Sequence, residues 1–132
     1  MHKILTDILN DDAITAAAER LATSPSVRLA GLWGSADALV TAALAQRTDR
    51  PVLAIVRNDD DAEELADDLT LFTGQAVERL APWEAALADD RLSEEVTGER
   101  LRLCHAISGP TPPRFIVASI LAILQPVPSV DA

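Results

Sequence analysis

The chain has 132 residues and a formal net charge of −10, from 11 basic and 21 acidic side chains. Apolar residues make up 48% of it, enough for a single core, whereas aromatic residues make up only 3%. Non-specific binding of nucleic acid is disfavoured, because phosphate backbones are bound by clustered basic side chains and acidic residues outnumber basic ones here. The single cysteine, Cys104, excludes an internal disulfide. No apolar run approaches the roughly 20 residues that span a bilayer, and the expected location is the cytoplasm.

The first half of the chain predicts three helices and two strands. Residues 3–24 form two helices, the second capped by Asn10 or Asp11 and ended by Pro25. "SVRLAGLW" is a short strand that runs into a glycine turn, and "SADALVTAALAQR" is a helix with one buried face. "RPVLAIV" has the continuous apolar run that is typical of a strand covered on both faces, as in parallel sheets.

The second half continues the alternation of helices and strands. "DDDAEELADDLTLFTG" predicts a helix with an acidic first turn, stopped by Gly74. "QAVERLA" is a third, more exposed strand, "PWEAALADD" is a loop, and "RLSEEVTGERLRLCHAIS" is a helix despite Gly98. Arg91, Arg100 and Arg102 on that helix are predicted to pair with neighbouring glutamates at the surface, and Cys104 to be a buried, inert thiol. "RFIVAS" is a fourth strand, and "ILAILQPVP" leaves it as a helical turn.

Strands that alternate with helices predict an α/β fold in which helices flank a parallel sheet. Ligands of such sheets bind beyond the carboxyl ends of the strands. The stretch "LAGLWGSADALV" lies at such a place, and its glycines resemble those of a phosphate-binding loop, G-x-x-x-x-G-K-[ST]. Gly31 holds the first glycine position, and Gly34 and Ser35 lie inside the loop. The second glycine, the lysine and the hydroxyl are replaced by Ala36, Asp37 and Ala38.

Those replacements remove the chemistry that a phosphate loop needs. The lysine would contact the terminal phosphates, whereas Asp37 places a negative charge beside a polyanion. Repulsion between these like charges costs on the order of a few kcal/mol in a partly desolvated loop. Ala38 cannot hold magnesium, and Ser35 is left with the role of a helix cap. The sequence therefore predicts a vestigial loop that has kept its shape and lost its ligand, with no cofactor and no resident metal.

No other group of residues predicts catalysis. The run "NDDDAEE" could bind magnesium, but the acidic start of a capped helix explains it without a ligand. Ser35 with His105 lacks the G-x-S-x-G elbow of a serine nucleophile, and the adjacent glutamates of the predicted helices diverge. Trp33 and Trp83 both fall in predicted loops, where a tryptophan is a packing anchor or, when exposed, a partner contact.

The order of the blocks resembles a known family. "GLWGSADALV", "RPVLAIVRNDDDAEELADDLTLFTG", "ERLAPWEAALADD", "RLSEEVTGERLRLCHAI" and "RFIVASILAILQPVP" follow one another as in the N-terminal module of the bacterial transcription-repair coupling factor (Mfd). That module is similar to the first motor domain of the excision-repair subunit UvrB, in which the phosphate loop is intact. Trp83 and Glu84 match the family's W-E-x-x-P loop, whereas Ala86 and Leu87 depart from its proline and tyrosine.

The resemblance implies a helicase-like P-loop fold with a degenerate phosphate loop, and a chain that is not an enzyme, although the full-length family is an ATP-dependent DNA translocase. It divides the chain into a helical segment (1–25), a UvrB-like domain (26–128), expected to be a fragment of a larger protein, and a linker or truncation (129–132). The implied partners are other domains of the same protein, with UvrA and RNA polymerase reached through absent parts, while neither DNA nor membrane is bound directly. Two alternatives stay open: a nucleotide-binding or hydrolysing domain, and a stand-alone acidic α/β regulatory domain.

Overall fold

Helices and strands alternate along the chain in the computed structural model, which describes residues 3–83 and 94–127. Within these ranges the chain forms the following elements: α1 (Lys3–Ile8), α2 (Asp12–Thr23), α3 (Ala36–Thr48), β1 (Val52–Val56), α4 (Asp59–Thr73), β2 (Val77–Leu80), α5 (Glu94–Ile107), β3 (Phe115–Ser119) and α6 (Ile120–Leu124).

The three strands form one parallel sheet in the order β1-β3-β2. Val52 of β1 and Val77 of β2 both lie opposite Phe115, so the central strand β3 aligns the two outer strands at one level. Parallel neighbours require a crossover, which the helices between the strands provide. The α/β class and the helix-flanked parallel sheet that the sequence predicts are therefore confirmed.

Local capping explains where several helices begin and end. The carboxylate of Asp11 accepts a hydrogen bond of 2.8 Å from the backbone N–H of Ala13 at the start of α2. The side chain of Asn58 accepts one of 2.8 Å from the N–H of Asp61 at the start of α4. Helix α4 ends at Gly74, whose φ of 67° is the left-handed conformation that glycine adopts readily. The predicted acidic helix start and the glycine stop are both present.

The main core lies between the sheet and helices α3 and α4. Leu69 of α4 and Val117 of β3 are both fully buried there. The N-terminal helices contribute Leu5 and Ile14 to the same cluster. A smaller core on the opposite face of the sheet contains Leu80, Ala118 and Ala122 together with Leu103 of α5. The sheet is therefore flanked by helices on both faces, but unequally.

The predicted strand "SVRLAGLW" does not form. Residues 26–33 have no strand structure, and Gly31 adopts a φ of 80°, outside the extended region. A strand gains its stability from pairing and from packing one face, and glycine weakens it on both counts. Here Leu29 and Leu32 stay exposed, by 40% and 37%. The sheet described by the structure consequently has three strands where the sequence predicts four.

The prediction that "RPVLAIV" is covered on both faces is also wrong. Along β1 the half-buried positions alternate with exposed ones, and Leu53 and Ile55 are 53% and 54% exposed. One face of β1 is exposed because of the tertiary arrangement. β1 lies at one edge of the sheet, whereas α5, on the face that Leu53 and Ile55 share, packs against β2 at the opposite edge. A continuous apolar run therefore lies in a strand of which the described residues cover only one face.

The glycine inside α5 gives a direct test of local helix energetics. Replacing Gly98 with alanine is expected to raise the free energy of unfolding by about 0.5–1 kcal/mol, because alanine loses less backbone freedom on forming a helix. A Cβ at this position would meet no heavy atom of the described structure within 4 Å. Urea unfolding followed by circular dichroism measures the change. Gly74→Ala is the matched control and should lower stability, since its φ is 67°.

Candidate functional site

The stretch that resembles a phosphate loop is a turn followed by α3. Gly31 and Gly34 have φ values of 80° and 54°, and α3 begins at Ala36. Ser35 occupies the N-cap position, but its side chain makes no cap hydrogen bond, so the predicted capping role of Ser35 is wrong. Its φ and ψ of −61° and −4° are helical, whereas a capping serine needs an extended backbone to reach the following N–H groups.

Two backbone donors at the end of this turn are already in use. The N–H of Ala36 donates to the carbonyl of Trp33 at 3.2 Å, and the N–H of Asp37 donates to the carbonyl of Gly34 at 3.3 Å. A phosphate-binding loop needs such N–H groups free and directed at the anion. The turn therefore closes on itself, and Ala38 is fully buried in the core and cannot face a ligand.

A cleft of about 380 Å³ lies at the carboxyl end of β1, beside the start of α3 and along α4. This is where ligands of open parallel sheets bind. Its lining residues are Gly34, Asp37, Val56, Arg57, Asp61, Glu64, Leu65 and Asp68. The structure thus brings two residues of the predicted loop, Gly34 and Asp37, into one concavity with the acidic helix α4.

The charges in this cleft oppose a phosphate ligand. The lining contains four carboxylates and one guanidinium. The guanidinium of Arg57 lies 3.2 Å from the carboxylate of Asp61, and its side chain is 82% exposed, so it is partly neutralised and points toward water. Among the described residues, Asp37, Glu64 and Asp68 have no ion-pair partner. The lining is therefore net negative.

The two tryptophans singled out by the sequence lie in different environments. Trp33 is 85% exposed, next to the turn of Gly34. Trp83 is half-buried, and its ring centroid lies 4.6 Å from the guanidinium carbon of Arg100. The backbone of Trp83 also exchanges two hydrogen bonds with the side-chain amide of Gln125, at 2.7 and 3.0 Å. Glu84, Ala86 and Leu87, the other positions compared with the family's loop, lie outside the described residues.

Arg100 does not form the predicted surface pair. It was predicted to pair at the surface, but it is only 2% exposed. Its guanidinium donates to the carbonyls of Ala81, Ala122 and Pro126, at 2.6, 3.3 and 3.3 Å. Burial lowers the pKa of Arg100 from its usual value. The sequence offers little signal for this, because an arginine on an amphipathic helix is ordinarily at the surface.

Arg102 does form a surface pair, but across elements and not along its helix. Its guanidinium makes two hydrogen bonds, of 3.2 and 2.5 Å, to the carboxylate of Glu78 on β2. The same hydrogen bonds hold the pKa of Glu78 below its usual range. Arg91 lies outside the described residues. The predicted surface pair of Arg102 with a glutamate is thus present, and its partner lies on β2.

A second concavity, of about 540 Å³, lies on the face of the sheet that α5 covers incompletely. Its walls are mostly apolar and include Leu53, Leu103, Ile107 and Ile116. Cys104 also lines it and is half-buried, where the sequence predicted a buried thiol. Within the described residues, no hydrogen bond joins His105 to Ser35.

The described residues contain no group of three or more histidine, cysteine or acidic side chains that could hold a metal ion. The carboxylates of "NDDDAEE" instead begin α4, with Asp59, Asp60 and Asp61 in its first turn. In the same residues, no helix has the length and apolar content needed to cross a bilayer.

Comparison with known proteins gives one informative relative. No protein-family profile matches the chain, and no solved structure matches it. The transcription-repair-coupling factor of Bacillus subtilis (strain 168) is 31% identical to it over 105 residues, which are 78% of this chain and 9% of that protein. The chain thus spans less than a tenth of the relative. It is distantly related to a short segment of a transcription-repair coupling factor.

Proposed function

We propose that this chain is a non-catalytic interaction module of a protein that couples DNA repair to transcription. The relationship to the B. subtilis coupling factor supports the biological setting. The order of the sequence blocks supports a UvrB-like α/β domain with a degenerate Walker A loop. On this proposal the chain contributes contacts and shape, while ATP-driven movement belongs to other parts of such a protein. A cytoplasmic location belongs to the same proposal.

The observation that carries the proposal is the state of the cleft at the carboxyl end of β1. Asp37 lies where a phosphate loop has its lysine, and the carboxylates of Asp61, Glu64 and Asp68 line the same concavity. Repulsion between these groups and a triphosphate would offset the affinity of a modest ligand. The N–H groups of Ala36 and Asp37 are also bonded within the turn, which reduces the number of backbone donors that a phosphate could use.

The partners follow from the resemblance and are part of the proposal. The module would help to present a UvrA-recruiting surface and to restrain the motor by packing against it. Other domains of the same protein, UvrA and RNA polymerase would be reached in the assembled protein. Direct DNA binding is not part of the proposal, because a chain with a net charge of −10 repels the phosphate backbone.

Calorimetry with ATP and magnesium tests the absence of a nucleotide site. We expect no binding tighter than about millimolar, the level at which the binding free energy is about −4 kcal/mol. Magnesium alone and ADP serve as comparisons. Saturable binding in the micromolar range, with chemical-shift changes confined to residues 31–38 in NMR spectra, would favour the rival function of a nucleotide-binding or hydrolysing domain.

A further inference from the structure

Three large apolar side chains lie exposed in the loop before α3. Leu29, Leu32 and Trp33 are 40%, 37% and 85% exposed. An indole exposed to this extent has little packing of its own, and tryptophan is the residue type most enriched at the energetic centres of protein interfaces. We call the segment that carries these three side chains, residues 29–33, the Trp33 loop. No strand or core function accounts for them, since residues 26–33 do not join the sheet.

The backbone holds the Trp33 loop in a defined turn. Gly31 and Gly34 both have positive φ, and a Cβ at either position would meet no heavy atom of the described structure within 4 Å. The glycines are thus required by backbone conformation and not by crowding. The carbonyl of Trp33 accepts a hydrogen bond from the N–H of Ala36, which ties the loop to the first turn of α3. Such a turn presents the indole at a lower entropic cost of binding than a free segment would.

The acidic cleft directly adjoins this loop. Gly34, the residue after Trp33, lines the cleft together with Asp37. Glu64 and Asp68 are four positions apart on α4, so they project from one face of that helix into the same concavity. Neither is paired with a basic side chain of the described residues. An exposed apolar anchor therefore lies beside carboxylates that have no counter-charge.

We propose that the Trp33 loop and the cleft together dock a basic segment of a partner protein. An arginine or lysine of the partner would enter the cleft and pair with Asp37, Glu64 and Asp68, while a neighbouring apolar side chain would cover Trp33. Charge complementarity selects this partner: the carboxylates repel nucleic acid and anionic lipid, and attract a cationic peptide. The inference rests on the proposed function, because an interaction module needs a surface and this cleft must be free of nucleotide.

A short synthetic peptide of alternating arginine and leucine is a suitable probe, titrated into the full chain by calorimetry and NMR. We expect binding tighter than about millimolar that weakens at high salt, since exposed charges are screened within about 10 Å at 0.1 M ionic strength. Trp33→Ala should reduce the affinity about tenfold or more. Glu64→Gln combined with Asp68→Asn should reduce it by about the same factor. Neither change touches the buried core, so both variants should fold.

The matched control is Glu19→Gln combined with Glu99→Gln. This control also removes two negative charges, but from exposed positions that do not line the cleft. If this variant loses as much affinity as the cleft variant, the peptide responds to net charge alone and the inference fails. The inference also fails if Trp33→Ala leaves the affinity for the peptide unchanged. It fails likewise if Trp33 is covered by phosphatidylcholine vesicles or by a second copy of the chain, and not by the peptide. Nucleotide binding would overturn the proposed function, whereas absence of both peptide and nucleotide binding would overturn this inference alone.

Discussion

Replacing Leu69 with alanine is expected to lower the free energy of unfolding by about 3–5 kcal/mol. Leu69 is 0% exposed and belongs to the core between α4 and the sheet. The substitution removes apolar burial and leaves a cavity that close-packed neighbours fill only in part. Equilibrium urea unfolding, read by far-UV circular dichroism, gives the change from the shift in midpoint at constant slope.

Leu71→Ala makes the same chemical change two residues further along α4. Leu71 is 63% exposed, and alanine is the better helix former, so stability should change by no more than about 0.5 kcal/mol. Equal losses in the two variants would mean that the face α4 presents to the sheet is assigned wrongly. The pair thus tests which side of the helix is buried, independently of helix propensity.

Arg100→Ala should produce the second largest loss, about 2–4 kcal/mol, because it leaves one buried and two partly buried carbonyls without their donor. These carbonyls belong to Ala81, directly after β2, and to Ala122 and Pro126, in α6 and just after it. The variant also removes the cation that lies over the ring of Trp83, so the fluorescence of that indole should change. Urea unfolding and the emission spectrum of the folded state together measure both effects.

Arg102→Ala on the same helix is the matched control for Arg100. The side chain of Arg102 is 58% exposed, so loss of its pair with Glu78 should lower stability far less than Arg100→Ala does. Arg100→Lys separates charge from geometry, since an ammonium cannot direct donors at three carbonyls as a planar guanidinium does. If Arg100→Lys is as stable as the parent chain, the buried positive charge is what stabilises the fold, and the hydrogen bonds to the three carbonyls are not.

The Arg100 variants bear on function through the segments that Arg100 joins. Its guanidinium connects the end of β2, the start of the loop at Trp83 and the turn that follows α6. A partly unfolded connection here would leave the Trp33 loop and the cleft unaltered, because those surfaces belong to α3, α4 and the end of β1. Peptide binding by Arg100→Ala, measured below its unfolding midpoint, should therefore remain close to that of the parent chain.

The elements predicted with most success are those whose signals are local. Helix α4 has an asparagine cap, acidic residues in its first turn and a glycine stop, and each acts within one turn of the chain. The apolar runs of β1 and β3 mark strands without any knowledge of their neighbours. The replacement of the phosphate-loop lysine by Asp37 is likewise visible in the sequence, although the loss of the ligand stays a prediction.

Apart from the cap predicted for Ser35, the errors concern features that depend on distant parts of the chain. Residues 26–33 read as a strand, but a strand also needs a partner edge, and the described sheet does not give them one. Arg100 and Arg102 are two residues apart on one helix, yet one is buried against three carbonyls and the other pairs with β2. The chemistry of the side chain is the same, and only the surrounding elements distinguish them.

By itself, the sequence determined the alternation of helices and strands, the caps of α2 and α4, the glycine stop of α4, the negative charge, and the replacement of the phosphate-loop lysine and hydroxyl by Asp37 and Ala38. Capping and periodicity act over a few residues, which is why they can be read without a fold. The tertiary structure decided the strand order, the exposed face of β1, the burial of Arg100 and the meeting of Asp37 with Glu64 and Asp68 in one cleft. Each of these depends on which segments lie side by side, and that is set by packing across the sheet, not by neighbours in sequence.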